Sequence, residues 1–128
     1  MRAAFMSPLR RLVKTLCWLA IAGSYVAAIV PQRDAPHLGG SDKLDHMAAF
    51  FTISVLARLS YPRVAAPFLF LLIALFGGLI ELSQTLPMIH RDAEWGDWGA
   101  DIAATALGLL LAWPLAIMAD RRRAARRS

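Results

Sequence analysis

Between Gly77 and Gly108 the chain reads GGLIELSQTLPMIHRDAEWGDWGADIAATALG, with ionisable or amide side chains at Glu81, Gln84, His90, Arg91, Asp92, Glu94, Asp97 and Asp101. Glu81 lies inside one strongly apolar run, and Asp97 and Asp101 open the next. An aspartate at the centre of a membrane-inserted helix costs roughly 2.5–3.5 kcal/mol, and less near an end. Such carboxylates therefore face a protein interior or a water-filled cavity. Buried there, Glu81 or Asp97 can act as general acid or base, and Arg91 or Lys43 can hold a phosphate. Lys43, His46 and Phe50 fall at i, i+3 and i+7, on one face of a helix. Lys43, His46 and Arg91 are thus the cations available to the carboxylates.

Each of these residues also has an ordinary structural use. Asp97 stands where a helix N-terminus favours negative charge. Glu81 and Gln84, at i and i+3, can satisfy Arg91 or Lys43 in a buried cluster, because an unpaired intramembrane charge costs most. His46 can serve as a hydrogen-bond partner. His46, Glu81, Asp97 and Asp101 are metal-ligand types, but they lack an HExxH-like local spacing, so no metal and no cofactor is assigned. No Gly-rich phosphate loop, Ser-His-Asp order or Cys pair is visible, and Cys17 stands alone in an apolar run.

The elements that must position these residues follow from composition. Of 128 residues 58% are hydrophobic, and the mean hydropathy is +0.50. Soluble domains hold about 45–50% apolar residues, so the excess calls for lipid. The net charge of +5 and pI near 10.4 do not indicate nucleic acid, because the basic residues lie at the ends of apolar runs. Four such runs predict an all-α membrane protein, a single domain over residues 1–128 with transmembrane helices at about 12–30, 43–60, 64–86 and 98–118. Pro31, Pro62 and Pro87 close the first three, Ser41 or Asp42 can cap the second, and residues 31–42 form a turn-rich loop. A cleaved signal peptide is the competing reading of the first run.

Orientation follows from the basic residues. Placing the N-terminus, the connection at 60–63 and the C-terminal tail inside puts eleven of the fourteen Lys and Arg there, leaving Arg33, Lys43 and Arg91 outside. Both termini are therefore expected in the cytoplasm of a bacterial-type inner membrane. Eight of nine acidic residues then fall outside, with only Asp120 inside. Gly77/Gly78 and Ala100/Ala104/Gly108 carry the small-residue spacing that lets membrane helices approach closely, here the third and fourth. Trp18, Trp95, Trp98 and Trp113 are expected as interface anchors, and Arg121 to Arg127 as an inside anchor drawn to anionic lipid.

The ordered set Asp42-Lys43 with His46, Glu81-Leu82-Ser83-Gln84, Arg91, and Asp97-Trp98-Gly99-Ala100-Asp101-Ile102-Ala103-Ala104 resembles the VanZ-like integral membrane proteins, over roughly residues 41–112. Asp101 stands where that pattern has Asn, and Ala104 where it has Gly. The resemblance implies an envelope protein whose family label is glycopeptide resistance. It makes Lys43, His46, Glu81, Gln84, Arg91, Asp97 and Asp101 the candidate binding residues. Two functions are open: an outer-leaflet pocket that binds a lipid head group, cell-wall precursor or glycopeptide-type antibiotic, or a membrane enzyme acting on a lipid-linked substrate. An ion or proton pathway is weaker, since the polar residues gather at one side. Membrane lipids are the expected partners, and nucleic acid is not.

Overall fold

The computed structural model describes residues 7–35 and 40–128. Arg2 in the basic N-terminal segment and residues 36–39 of the 31–42 loop lie outside the described residues. The described chain is all-helical: α1 Pro8–Ile29, α2 Asp42–Ser60, α3 Ala66–Gln84 and α4 Trp95–Ala125, with short 3-10 turns at Gln32–Asp34 and Pro87–Ile89.

The helix starts follow local chemistry. Ser7 caps α1 by accepting from the Arg10 amide, and Pro8 occupies the first turn, where a missing N–H costs nothing. Ser41, rather than Asp42, caps α2 through the Leu44 amide at 3.2 Å. Pro67 lies in the first turn of α3. α4 continues through Pro114 and past the expected stop near 118, ending only after Arg122 and Arg123 have entered its last turn, where cations suit the helix dipole.

Three of the four helices, α1, α3 and α4, are long and apolar enough to cross a membrane, and α2 is not. The expectation of four such helices is corrected here, and the reason lies in the sequence of α2. It carries Asp42, Lys43, Asp45, His46, Ser54, Arg58 and Ser60, and most of these turn inward. α2 packs against α4, α1 and α3 and presents its polar residues to them. The outer surface is the reverse, with Leu19, Leu75, Leu79, Leu107 and Leu110 all exposed. Contiguous apolar surface of that extent needs lipid or another chain to cover it.

The core between the helices is built on Phe50, Ile53, Ala57, Ile73, Ile80 and Ala104, with Phe50 stacked on Phe76 at 5.7 Å. The small-residue contact lies elsewhere than expected. A Cβ on Gly108 would collide with Ser54 Oγ and lie 2.8 Å from the Phe51 carbonyl, so Gly108 sits against α2 and not α3. Gly77 and Gly78 do receive α4, through the Trp98 ring. Trp98 also has a packing role: its indole N–H donates to the Ala74 carbonyl at 2.9 Å, which seats the ring between α3 and α4. Trp18 and Trp113 lie at the opposite pole, Trp18 donating to Tyr61 and Trp113 lying beneath Arg58.

Candidate functional site

The C-termini of α1 and α3 and the N-termini of α2 and α4 meet at one pole, and the contacts that join them use the residues singled out above. Arg91, in the segment between α3 and α4, turns its guanidinium inward until the side chain is 2% exposed. Its Nε donates to the Val30 carbonyl (2.9 Å), Nη2 to the Ala27 carbonyl (2.9 Å) and Nη1 to Asp42 Oδ1 (3.0 Å). The last carbonyls of a helix have no intrahelical donor, and Arg91 supplies two of them for α1. Gln84 supplies another, its Nε2 donating to the Ala28 carbonyl at 3.0 Å. Beside it Tyr25 and Ser83 share a hydroxyl hydrogen bond at 3.0 Å.

The acidic side chains lie next to this clamp. Lys43 Nζ is 3.6 Å from Asp97 Oδ1, and His46 Nδ1 is 3.6 Å from Asp101 Oδ2. Glu81 Oε2 accepts from the Glu94 amide at 3.1 Å. Glu94 precedes the first residue of α4, so α3 caps α4 across the seam. Glu81 and Asp101 are 0% and 1% exposed, and His46 is 9%. Glu81 Oε1, Asp97 Oδ1, both carboxylate oxygens of Asp101 and His46 Nδ1 are buried without a hydrogen-bond partner. A native protein satisfies nearly all such atoms, and their concentration here makes this cluster the candidate site.

All seven sequence-assigned residues come to this pole, in two groups. Arg91 and Gln84 are engaged with α1. Their donors are taken up by helix carbonyls and Asp42, so Arg91 is not placed to grip a phosphate. His46, Glu81 and Asp101 converge, with Asp97 and Lys43 at their edge. His90, Asp92 and Glu94 are exposed. His90 closes the 3-10 turn in a left-handed conformation, φ 51°, a region that few non-glycine residues enter and that histidine enters more readily than most.

A cavity of about 200 Å³ opens beside His46, walled by Gly23 and Ala27 of α1, Phe50 of α2 and Ile80 of α3, with Asp42, Asp45 and Arg91 at its polar end. The contribution of α1 was not visible in the sequence. Gly23, Ala27 and Ala28 carry no chemistry of their own, and only the Arg91 and Gln84 contacts bring that helix end to the site. No family model, curated protein or solved structure matches the chain.

Proposed function

We propose that the chain is a multi-pass membrane protein of VanZ-like type that binds the head group of an amphiphile at its acidic pole. In this reading all four helices cross a bacterial-type cytoplasmic membrane, α2 as the polar inner helix, with both termini cytoplasmic and the acidic pole outside. At 1.5 Å per residue the 19 residues of α2 extend about 28 Å, close to the thickness of the hydrocarbon core. The single observation that carries the function is the cavity beside His46, which joins an apolar wall to a polar end holding Asp42 and Asp45.

Its size and charge narrow the occupant. About 200 Å³ falls below the roughly 300–1,000 Å³ of pockets that enclose drug-sized ligands. A whole glycopeptide would not enter, whereas a lipid head group or one sugar of a lipid-linked precursor would. Arg91 is committed to the α1 carbonyls and Asp42, so the polar end is poorly suited to a bare phosphate and suits a head group that brings amine or hydroxyl groups. A lipid-active enzyme is the second reading, favoured by the unpartnered oxygens of Glu81 and Asp101 beside His46, a set able to give and take protons.

The test is native mass spectrometry of lipids retained by the full chain after detergent extraction from a phosphatidylethanolamine-containing membrane. Wild type should keep an aminophospholipid or glycolipid. Gly23→Leu should lose it without a drop in melting temperature, because a Cβ at Gly23 meets nothing within 4 Å. Equal retention by the variant would remove the cavity from the function. Release of a cleaved product in the same samples would favour the enzyme.

A further inference from the structure

We propose that His46, Glu81 and Asp101 bind one divalent first-row cation, Zn²⁺ or Mn²⁺, at the acidic pole. One ligand atom from each residue lies within 4.8 Å of the other two. The three come from α2, α3 and α4, so the ion would tie together three helices at the level where their ends meet. Atoms on one tetrahedral ion at about 2.0–2.2 Å stand about 3.3–3.6 Å apart. His46 Nδ1 and Asp101 Oδ2 are already at 3.6 Å, and side-chain rotation of up to about 1 Å brings the Glu81 oxygen to the same spacing.

Two further observations point to a ligand and not to a chance cluster. The first is the set of orphaned atoms. Glu81 Oε1, both Asp101 oxygens and His46 Nδ1 are buried and accept nothing, while Glu81 Oε2 is held by the Glu94 amide and fixes that carboxylate's direction. The second is charge. Asp42 has Arg91 at 3.0 Å and Asp97 has Lys43 at 3.6 Å. Asp101 faces the His46 imidazole at 3.6 Å and Glu81 the Glu94 amide, so with the imidazole neutral, as metal binding requires, neither carboxylate has a cation beside it. A dication neutralises that pair in surroundings where an uncompensated charge is most costly.

The donor set selects among cations. Ca²⁺ takes six to eight oxygen ligands, and Mg²⁺ prefers oxygen and retains its waters. One imidazole with two carboxylates suits Zn²⁺ or Mn²⁺ and leaves further coordination positions open. His46 is shared with the cavity described above, so the ion would stand beside the bound head group. The ion site does not depend on an amphiphile being found.

The full-length protein, purified through a tag without histidines and stripped with a chelator, is titrated with Mn²⁺ while the free-ion signal is followed by electron paramagnetic resonance. A parallel sample is dialysed against Zn²⁺ and assayed by elemental analysis. Wild type should bind one ion per chain and melt at a higher temperature with it. Loss of groups outside the ligand set typically weakens metal binding about 10–100-fold, so Glu81→Gln and Asp101→Asn, which alter ligands, should weaken it by at least about 100-fold. Asp92→Asn and Asp120→Asn, at exposed positions, should bind as wild type does. X-ray absorption of the zinc-loaded wild type should show a single imidazole among oxygen ligands, a readout that needs no variant. Wild type without stoichiometric binding, an absorption spectrum without imidazole, or equal weakening by the exposed variants would overturn the site.

Discussion

Arg91 commits every nitrogen of its guanidinium to the protein interior, and that makes it the residue on which the acidic pole hangs. Removing it would leave two terminal carbonyls of α1 without donors and Asp42 without its partner. Breaking a buried pair from one side costs on the order of 3 kcal/mol, and Arg91→Ala should lower the melting temperature in detergent accordingly. Because the ion pair is with Asp42, a double-mutant cycle of Arg91→Ala with Asp42→Asn should show coupling of about 0.5–3 kcal/mol. The same cycle with Glu81→Gln should be close to additive, since Glu81 is held by Glu94 instead. Additive behaviour with Asp42 would mean the pair does not form. The sequence alone suggests a single cluster of carboxylates sharing Arg91 and Lys43. Which acid meets which base depends on the rotation of each helix about its axis, and i, i+3 spacing does not specify that. Asp42 and Asp45 are one turn apart from His46 at most, yet only the fold shows that Asp42 answers Arg91.

At the scale of elements, the approach of α2 to α4 is set by one missing side chain. A Cβ at Gly108 would strike Ser54 Oγ and come within 2.8 Å of a backbone oxygen, which cannot swing away. Gly108→Ala should therefore force the helices apart, costing about 1–3 kcal/mol as overpacking does. A Cβ at Gly77 would stand 3.1 Å from the Trp98 ring and 3.2 Å from Phe50, so Gly77→Ala should cost less, as both rings can shift slightly. Gly99 meets nothing within 4 Å. Gly99→Ala should be neutral or stabilise by about 0.5–1 kcal/mol, since glycine is a poor helix residue. Melting temperatures in the order Gly99→Ala, Gly77→Ala, Gly108→Ala from highest to lowest are the expected result, and a flat series would show that the helices do not touch there. The sequence carried the small-residue spacing but not its partner. Glycine spacing marks a face for close approach, and the identity of the neighbour comes from how α2 is threaded between the others.

The whole molecule has its polarity inverted relative to a soluble domain, with leucines outside and His46, Glu81, Asp101, Ser54 and Thr105 inside. Hydropathy makes α1, α3 and α4 legible as spans, because their apolar residues must cover both a packed and a lipid-facing side. It does not mark α2, and in the proposed four-span reading the reason is physical: a helix enclosed by its neighbours can be polar and still lie in the membrane. The count of crossings decides the sidedness of the ends. Three crossings would put the termini on opposite sides, and four would put them on the same side. The ends of α2 belong to opposite poles, since Asp42 is bound to Arg91, whereas Arg58 donates to the Val64 carbonyl and lies over the Trp113 ring. The proposed reading of four crossings with both termini inside rests on that arrangement and on the excess of Arg and Lys at the α1 start and the α4 end. Cys17 is the only cysteine and is buried, so a Cys17→Ser background gives a clean labelling assay. Cysteines introduced at Arg33 and at Met88, which are 86% (side chain) and 78% exposed, should react with an impermeant thiol reagent in intact cells. One at Ser128 should react only after permeabilisation. Labelling of Ser128 and Arg33 from the same side would mean that only two of α2, α3 and α4 cross, and Arg33 and Met88 reacting only after permeabilisation would move the acidic pole to the inner surface.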